Sequence, residues 1–238
     1  MKLSGILLNY SVALACTLGV APSCTVVRAQ EQPRLGPQSR VSVGVLIDTS
    51  AHQRNVINFE REVVNSISEA FAQLPAETFV IRYADEVELL QNWSPLALGL
   101  RTVSSRIELD VDSEKNQRTL LYEALNAGLL KLEGNGANSK VLLIIGEGNN
   151  ADGAIKYWQI KKRAEATRVQ CFVLLIADHN LMGGRVRHFG FYLYDLASAT
   201  KGKAYDIERS RKNLDKAIQD GIKENSLRQL GLQPIADM

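Results

Sequence analysis

Apolar runs and amphipathic stretches alternate along the chain from residue 41 onwards. Short apolar runs predict buried strands at Val41–Ile47, Val141–Ile145 and Cys171–Ala177. A further short strand is predicted at Ala204–Ile207. Apolar residues at helical spacing predict the helices between them: Phe59–Leu74, Pro95–Ile107, Leu121–Leu132, Ala154–Arg168, Phe189–Thr200 and a last one marked by Leu214, Ile218 and Ile222. Two further strands, Phe79–Tyr83 and Val87–Leu90, flank a polar turn and predict a hairpin with an antiparallel edge strand.

The order of these elements predicts the fold class. Continuous apolar strands separated by helices indicate a mostly parallel sheet that is covered on both faces. Right-handed crossovers then favour a doubly wound, Rossmann-like α/β sandwich with one antiparallel edge strand. Ligands of such sheets bind beyond the carboxyl ends of the strands, near the point where the strand order reverses. On the first helix we expect Glu60, Glu62 and Glu69 to face away from the core.

The first 29 residues predict a signal peptide. Lys2 precedes a short apolar stretch, and small residues lead up to Ala29. The apolar stretch is short for a helix that spans a bilayer, so a cleaved leader to the periplasm or the outside is favoured over a membrane span. Cys16 leaves a lipid-anchored form open. Residues 30–40 have the composition of a linker, 41–234 are expected to form one domain, and 235–238 a short tail.

Composition narrows the range of partners. The chain has 28 Lys and Arg against 26 Asp and Glu, and loss of Lys2 and Arg28 with the leader lowers the basic count to 26. A neutral mature chain with 6% aromatic residues lacks the basic surface and stacking rings of nucleic-acid-binding proteins. Cys171 alone remains after cleavage, which excludes an internal disulfide and favours a buried, inert thiol.

Polar residues follow two of the predicted central strands and precede one helix. Asp48, Ser50 and His52 come directly after the first strand, Glu147 follows the strand that begins at residue 141, and Thr119 precedes a helix. Oxygen atoms that converge at one edge of a sheet suit a hard divalent cation. Each segment alone also has a structural interpretation, such as capping of the next helix by the Ser50 side chain.

In these segments the sequence resembles von Willebrand factor type A (VWFA) domains, and more narrowly the secreted VWFA-related proteins of acidobacteria. The matching segments span most of residues 41–234: Val43–Ser50, Tyr83–Leu90, Thr119–Leu125, Val141–Gly148, Leu196–Tyr205 and Leu230–Pro234. The resemblance implies a Rossmann-like VWFA fold with a metal-ion-dependent adhesion site. In that family an Asp-x-Ser-x-Ser motif, a Thr and a later Asp hold Mg²⁺ or Mn²⁺, and a carboxylate of a partner completes the coordination.

Asp48, Ser50 and Thr119 match the family pattern, whereas two positions depart from it. His52 replaces the second Ser, and imidazole is a poor ligand for Mg²⁺ although it suits Zn²⁺ or Ni²⁺. Glu147 replaces the later Asp. The resemblance therefore implies a degenerate adhesion site in a secreted, non-catalytic bacterial module. That module is expected to bind a protein partner through Asp48, Ser50, His52, Thr119 and Glu147, with or without Mg²⁺ or Mn²⁺.

Two alternatives stay open. A structural or scaffolding VWFA-like domain would have lost metal binding and would bind through other surfaces. A hydrolase would use Ser50 and His52, but the chain lacks the common hydrolase and nucleotide-binding motifs. The remaining histidines, His179 and His188, flank a distant loop and are interpreted as surface residues. The sequence predicts neither the identity of the partner nor the oligomeric state.

Overall fold

The computed structural model describes residues 41–110, 118–151, 153–176, 190–207 and 210–219. All of them belong to a unit that comprises Leu35–Met238. The predicted signal peptide, the linker, Cys16, His179, His188, Ile222 and the C-terminal tail lie outside the described residues. Within the described ranges, no helix has both the length and the apolar character needed to cross a membrane.

Strands and helices alternate along the described chain in the predicted order. The strands are β1 (Val41–Asp48), β2 (Ala76–Tyr83), β3 (Val87–Pro95), β4 (Ser139–Gly146), β5 (Gln170–Leu175) and β6 (Lys203–Asp206). The helices are α1 (Ile57–Ala70), α2 (Leu96–Ser104), α3 (Leu121–Glu133), α4 (Tyr157–Thr167), α5 (Phe191–Ala199) and α6 (Arg211–Lys216). A short 3-10 helix, Ala51–Gln53, follows β1.

The strands form one six-stranded sheet in the order β3-β2-β1-β4-β5-β6. Neighbouring strands are parallel except for β2 and β3, which pair in the antiparallel direction. The predicted doubly wound sheet with an antiparallel edge strand is thus confirmed. Because the chain crosses from one side of β1 to the other before β4, the strand order reverses between β1 and β4. A ligand of this fold is expected beyond the carboxyl ends of these two strands.

Both faces of the sheet are covered, and β1 is buried along its whole length. Alternate residues of a strand point to opposite faces. Val45 and Ile47 belong to the cluster that includes residues of α1 and α2, and Leu46 belongs to the cluster with α3, α4 and α5. The polar residues that follow β1 therefore begin in the interior of the protein rather than on an exposed turn.

Several predicted boundaries shift in the structure. Helix α1 ends at Ala70 instead of Leu74, and the chain continues through a turn to Pro75, which disfavours helical backbone at Leu74. Helix α4 begins three residues later than predicted, at Tyr157. Strand β3 continues beyond Leu90 to Pro95, which pairs with Glu77 of β2. The added residues of β3 are mostly polar, as an edge strand with one solvated face permits.

Glu60 corrects one expectation from the sequence. Glu62 and Glu69 are exposed as predicted, but Glu60 is fully buried. It lies three residues after Ile57 and four before Val64, at a spacing that places all three on one face of α1. Helix α1 therefore carries a carboxyl group into the protein interior.

Candidate functional site

Asp48 is the last residue of β1, and its side chain is fully buried. Its Oδ1 accepts a hydrogen bond of 2.9 Å from the N–H of Ser50, which fixes the carboxyl group above the turn. The N–H of Thr49 donates to the carbonyl oxygen of Tyr83 at 2.9 Å. The turn after β1 is thereby tied to the end of β2, at the carboxyl edge of the sheet.

Ser50 occupies the N-cap position of the 3-10 helix Ala51–Gln53, but its side chain makes no capping hydrogen bond. The capping interpretation of Ser50 therefore does not apply. Its buried hydroxyl lowers the pKa of the nearby Asp48 carboxyl, yet it has no hydrogen-bond partner of normal geometry among the described residues. A buried polar group without a partner costs about 1–3 kcal/mol, which a bound ligand can offset.

Thr119 reaches the same edge of the sheet through the segment that precedes α3. The N–H of Leu120 donates to the carbonyl oxygen of Ala84, and the N–H of Ala151 donates to that of Thr119, both at 2.7 Å. These bonds hold the segment between the end of β2 and the loop after β4. Thr119 is 2% exposed, and its hydroxyl has no hydrogen-bond partner within the described part of the chain.

Glu147 follows β4 directly beside Asp48. Gly146 makes this close approach possible, because it has a φ of +147° and a Cβ atom at this position would lie 2.4 Å from the Cβ of Asp48. The side chain of Glu147 is 3% exposed, and its Oε1 lies 4.0 Å from Nδ1 of His52. The side-chain amide of Asn149 donates to the same Oε1. Glu147 is thus held at the point where the strand order reverses.

Two buried residues of the site, Gln53 and Glu60, were not predicted from the sequence. The Gln53 amide nitrogen lies 3.4 Å from Oδ2 of Asp48. With the amide turned the other way, Gln53 donates to Oε1 of Glu60 and accepts from the N–H of Glu147, both at 3.3 Å. Gln53 therefore stands between three acidic residues. The helical spacing of Glu60 with Ile57 and Val64 was the signal that could have placed Glu60 inside.

The site holds acidic groups whose charge the protein interior compensates only in part. Burial raises the pKa of Asp48 to about 6, although Ser50, His52 and Gln53 lower it. Burial, together with the charges of Asp48 and Glu147, raises the pKa of Glu60 well above its usual range. Among the described residues that shift the pKa of Asp48, His52 alone is basic. Buried carboxylates in such surroundings bind a proton or a cation.

The donor atoms at this edge suit a divalent cation. The hydroxyl groups of Ser50 and Thr119 and the carboxylates of Asp48 and Glu147 are oxygen donors of the kind that Mg²⁺ and Mn²⁺ prefer. Across the described ranges, no group of three or more His, Cys, Asp and Glu side chains could hold a metal ion. A cation at this edge therefore depends on the two hydroxyl groups, which are buried and unpartnered.

Comparisons with known proteins bear on the fold. No protein-family model and no curated protein matches the sequence. Among solved structures, an aerotolerance-related membrane protein from Bacteroides fragilis matches with a TM-score of 0.54 and 13% identity over 78% of this chain and 98% of its own. The SpRpn10 VWA domain matches with a TM-score of 0.52 and 11% identity over 82% and 98%. A von Willebrand factor type A protein from Catenulispora acidiphila matches with a TM-score of 0.55 and 12% identity over 82% of this chain and 43% of that protein.

The strand order and the polar cluster beyond β1 and β4 define a Rossmann-like α/β domain with a candidate ligand site where the strand order reverses. Within that class, the chain has the von Willebrand factor type A fold that it shares with the SpRpn10 and Catenulispora structures. The VWFA fold expected from the sequence motifs is thus confirmed. At identities of 11–13% the likeness concerns the fold.

Proposed function

We propose that this chain is a secreted, non-catalytic bacterial module that binds a protein partner through a divalent cation held at the carboxyl edge of the sheet. The observation that carries the proposal is the pair of buried, unpartnered hydroxyl groups of Ser50 and Thr119. They reach the same edge as the buried carboxyl groups of Asp48 and Glu147. A cation there gives the hydroxyl groups a partner and compensates the buried negative charge.

The residues of the site have separate roles in this proposal. Ser50 and Thr119 supply hydroxyl ligands, and Asp48, oriented by the N–H of Ser50, supplies negative charge. Asn149 orients Glu147 through a hydrogen bond to Oε1. A bound divalent cation supplies a positive charge to which a carboxylate of the partner can bind. Because the hydroxyl ligands are neutral, they leave most of the positive charge of the cation uncompensated.

A partly exposed aromatic patch beside the site supports a protein as the partner. It consists of Tyr122, Tyr157, Phe191 and Tyr192, at the starts of α3, α4 and α5. The rings of Tyr157 and Tyr192 lie 4.8 Å apart, and Phe191 and Tyr192 are 67% and 50% exposed. Helices that follow parallel strands begin at the carboxyl edge of the sheet, where the candidate site lies. Aromatic residues are enriched in protein–protein interfaces.

The geometry of Ser50 favours a binding role over hydrolysis. A catalytic serine requires a base within hydrogen-bond distance of its hydroxyl. The Ser50 hydroxyl forms no hydrogen bond of normal geometry with His52 or with any other described residue. The proposal therefore assigns no nucleophile to this site.

Secretion is proposed from the leader and is tested by the mass of the protein in the cytoplasmic, envelope and culture-medium fractions of the source cells. Cleavage after Ala29 predicts a mature chain that starts at Gln30. A chain that starts at Cys16 and carries added lipid mass indicates an anchored form instead. A chain that retains Met1 in the cytoplasmic fraction contradicts secretion.

Calorimetric titration of the mature protein with Mg²⁺, Mn²⁺ and Zn²⁺ tests the cation site. We expect a binding heat that Asp48→Ala abolishes. Ser66→Ala serves as the matched control, because the Ser66 hydroxyl is also buried and unpartnered but lies further along α1. Equal heats in wild type and Asp48→Ala contradict the proposal.

Capture of partners from the envelope and culture-medium fractions, with and without EDTA, tests the dependence of binding on the cation. We expect that EDTA prevents the capture of one set of proteins and that excess cation restores it. The Asp48→Ala variant should not capture these proteins under either condition. Capture that is insensitive to EDTA and to Asp48→Ala indicates instead a scaffolding domain that binds through other surfaces.

A further inference from the structure

Tyr83 brings a further hydroxyl group to the carboxyl edge of the sheet. It is the last residue of β2 and lies beside Asp48 in the parallel pairing of β2 with β1. Side chains of paired residues point to the same face of a sheet. The side chain of Tyr83 is fully buried, and its hydroxyl has no hydrogen-bond partner among the described residues. Buried tyrosine hydroxyls usually have a partner, so this hydroxyl is available to a neighbouring group.

The position of Gly146 shows which group that is. A Cβ atom on Gly146 would lie 3.0 Å from the hydroxyl oxygen of Tyr83 and 3.1 Å from Oδ2 of Asp48. Both oxygen atoms therefore border the same small space, which the absence of a side chain at residue 146 leaves open. A donor and an acceptor face each other across that space without a direct hydrogen bond in the described structure.

The two carboxylate oxygens of Asp48 differ in their hydrogen bonds. Oδ1 accepts a bond of 2.9 Å from the N–H of Ser50, whereas Oδ2 lies 3.4 Å from the amide nitrogen of Gln53. The second distance is longer than the usual range of about 2.7–3.2 Å for N–H···O bonds. It is also lost when the Gln53 amide is turned towards Glu60. Oδ2 can therefore accept a further hydrogen bond.

The electrostatic surroundings keep the Tyr83 hydroxyl in the form that donates. Burial, together with the charges of Asp48, Glu60 and Glu147, raises the pKa of Tyr83 well above its usual range. The hydroxyl therefore keeps its proton beside these acidic groups. Hydrogen bonds from a hydroxyl to a carboxylate are about twice as strong as those between neutral groups.

We propose that Tyr83 is a positioning residue of the cation site, whose hydroxyl donates to Oδ2 of Asp48, directly or through one water molecule. This inference rests on the proposed cation site and adds a residue that acts through Asp48 rather than on the cation. With the N–H of Ser50 on Oδ1 and the Tyr83 hydroxyl on Oδ2, both carboxylate oxygens are held. Outer hydrogen bonds of this kind orient the ligands of metal sites and raise metal affinity.

Tyr83→Phe removes the hydroxyl and keeps the ring in the core. Calorimetric titration of the mature protein with Mg²⁺ and Mn²⁺ should show an affinity about 10–100-fold below that of wild type, the range that loss of an outer hydrogen bond produces. Urea denaturation in EDTA should show no loss of stability, because the hydroxyl has no partner among the described residues. Tyr205→Phe is the matched control, since it removes a hydroxyl from β6 at the far edge of the sheet and should leave the affinity unchanged.

A ¹³C NMR spectrum of protein labelled at the tyrosine Cζ atoms gives a second readout. Added Mg²⁺ or Mn²⁺ should shift the resonance that is missing in Tyr83→Phe, because the Cζ shift reports hydrogen bonding of the hydroxyl. Wild-type affinity in Tyr83→Phe overturns the role of Tyr83, and binding that Asp48→Ala still abolishes then leaves the proposed cation site intact. A lower affinity that comes with a lower urea midpoint in EDTA also overturns it, because the hydroxyl then acts through the fold. If wild type binds neither ion, both proposals fail.

Discussion

Two buried threonines show how the candidate site differs from the rest of the protein at the scale of the residue. The hydroxyl of Thr78 donates to the carbonyl oxygen of Val43 at 2.8 Å, as buried hydroxyls in stable proteins usually do. The hydroxyl of Thr119 is equally buried and has no partner within the described chain. The first arrangement stabilises the fold. The second keeps a donor atom available for a ligand.

This difference predicts opposite effects of one substitution at the two positions. Without cation, Thr78→Val should lower the free energy of unfolding by about 1 kcal/mol, because it removes a satisfied hydrogen bond. Thr119→Val should leave that free energy unchanged or raise it slightly, because it removes an unpartnered buried hydroxyl. Urea denaturation in EDTA measures both. A loss of stability in Thr119→Val as large as that in Thr78→Val contradicts the assignment.

Asp48 predicts a pH dependence of stability in the cation-free protein. Its folded-state pKa of about 6 lies above the ordinary 3.8, so its protonation favours the folded state. The stabilising contribution is complete below pH 4 and is lost as the pH rises through 6. The difference between the two pKa values corresponds to roughly 3 kcal/mol.

Asp48→Asn cannot lose a proton and should therefore become more stable than wild type as the pH rises from 4 to 7. Denaturation in EDTA at several pH values measures the gap between the two proteins. Saturating cation should close much of it, because the cation compensates the Asp48 charge. Two curves that run parallel from pH 4 to 7 are incompatible with the raised pKa.

At the scale of the element, the carboxyl end of β4 fits against that of β1 because residue 146 is glycine. Gly146→Ala places a Cβ atom 2.4 Å from the Cβ of Asp48 at a φ of +147°. We expect it to lower the free energy of unfolding by at least roughly 2 kcal/mol and to weaken cation binding. Gly136→Ala is the control, since no atom lies within 4 Å of a Cβ there. Equal effects of the two variants contradict the packing argument.

The central strands and the start of the antiparallel edge strand could be predicted from the sequence, whereas the last residues of the edge strand and the base of the site could not. Strands β1 and β4 are buried on both faces, so their residues form continuous apolar runs. Strand β3 is exposed on one side, and its last residues gave no apolar signal. Gln53 and Glu60 are polar residues that tertiary packing buries, and polarity alone favours the surface.

The ends of the predicted strands placed Asp48, Ser50 and Glu147 at the carboxyl edge of the sheet. The burial and the hydrogen bonding of these side chains could not be predicted from the strand ends. That the hydroxyl groups lack partners depends on the geometry of three separate loops. The five predicted residues are almost entirely buried, and His52 is the most accessible of them.

At the scale of the whole molecule, the aromatic patch should contribute to partner binding independently of the cation. Substitution of Phe191 and Tyr192 by Ser should lower the affinity for the partner that EDTA releases by at least about tenfold, because it removes aromatic anchors of the interface. Cation affinity should stay the same. Leu98→Ser is the control, because Leu98 is 60% exposed on α2, which packs on the other face of the sheet. Surface plasmon resonance with the captured partner distinguishes these outcomes, and equal losses in both variants contradict the role of the patch.

The proposed cation site depends most directly on the two unpartnered hydroxyl groups of Ser50 and Thr119. The measurement that tests it is the change in thermal unfolding midpoint on addition of Mg²⁺, Mn²⁺ or Zn²⁺ to wild type, to Ser50→Ala/Thr119→Val and to Thr78→Val. A ligand that binds the folded state raises the midpoint. We expect at least one of these ions to raise the midpoint of wild type and of Thr78→Val but not that of the double variant. An equal rise in all three proteins, or a rise in none, contradicts a cation site at this edge of the sheet.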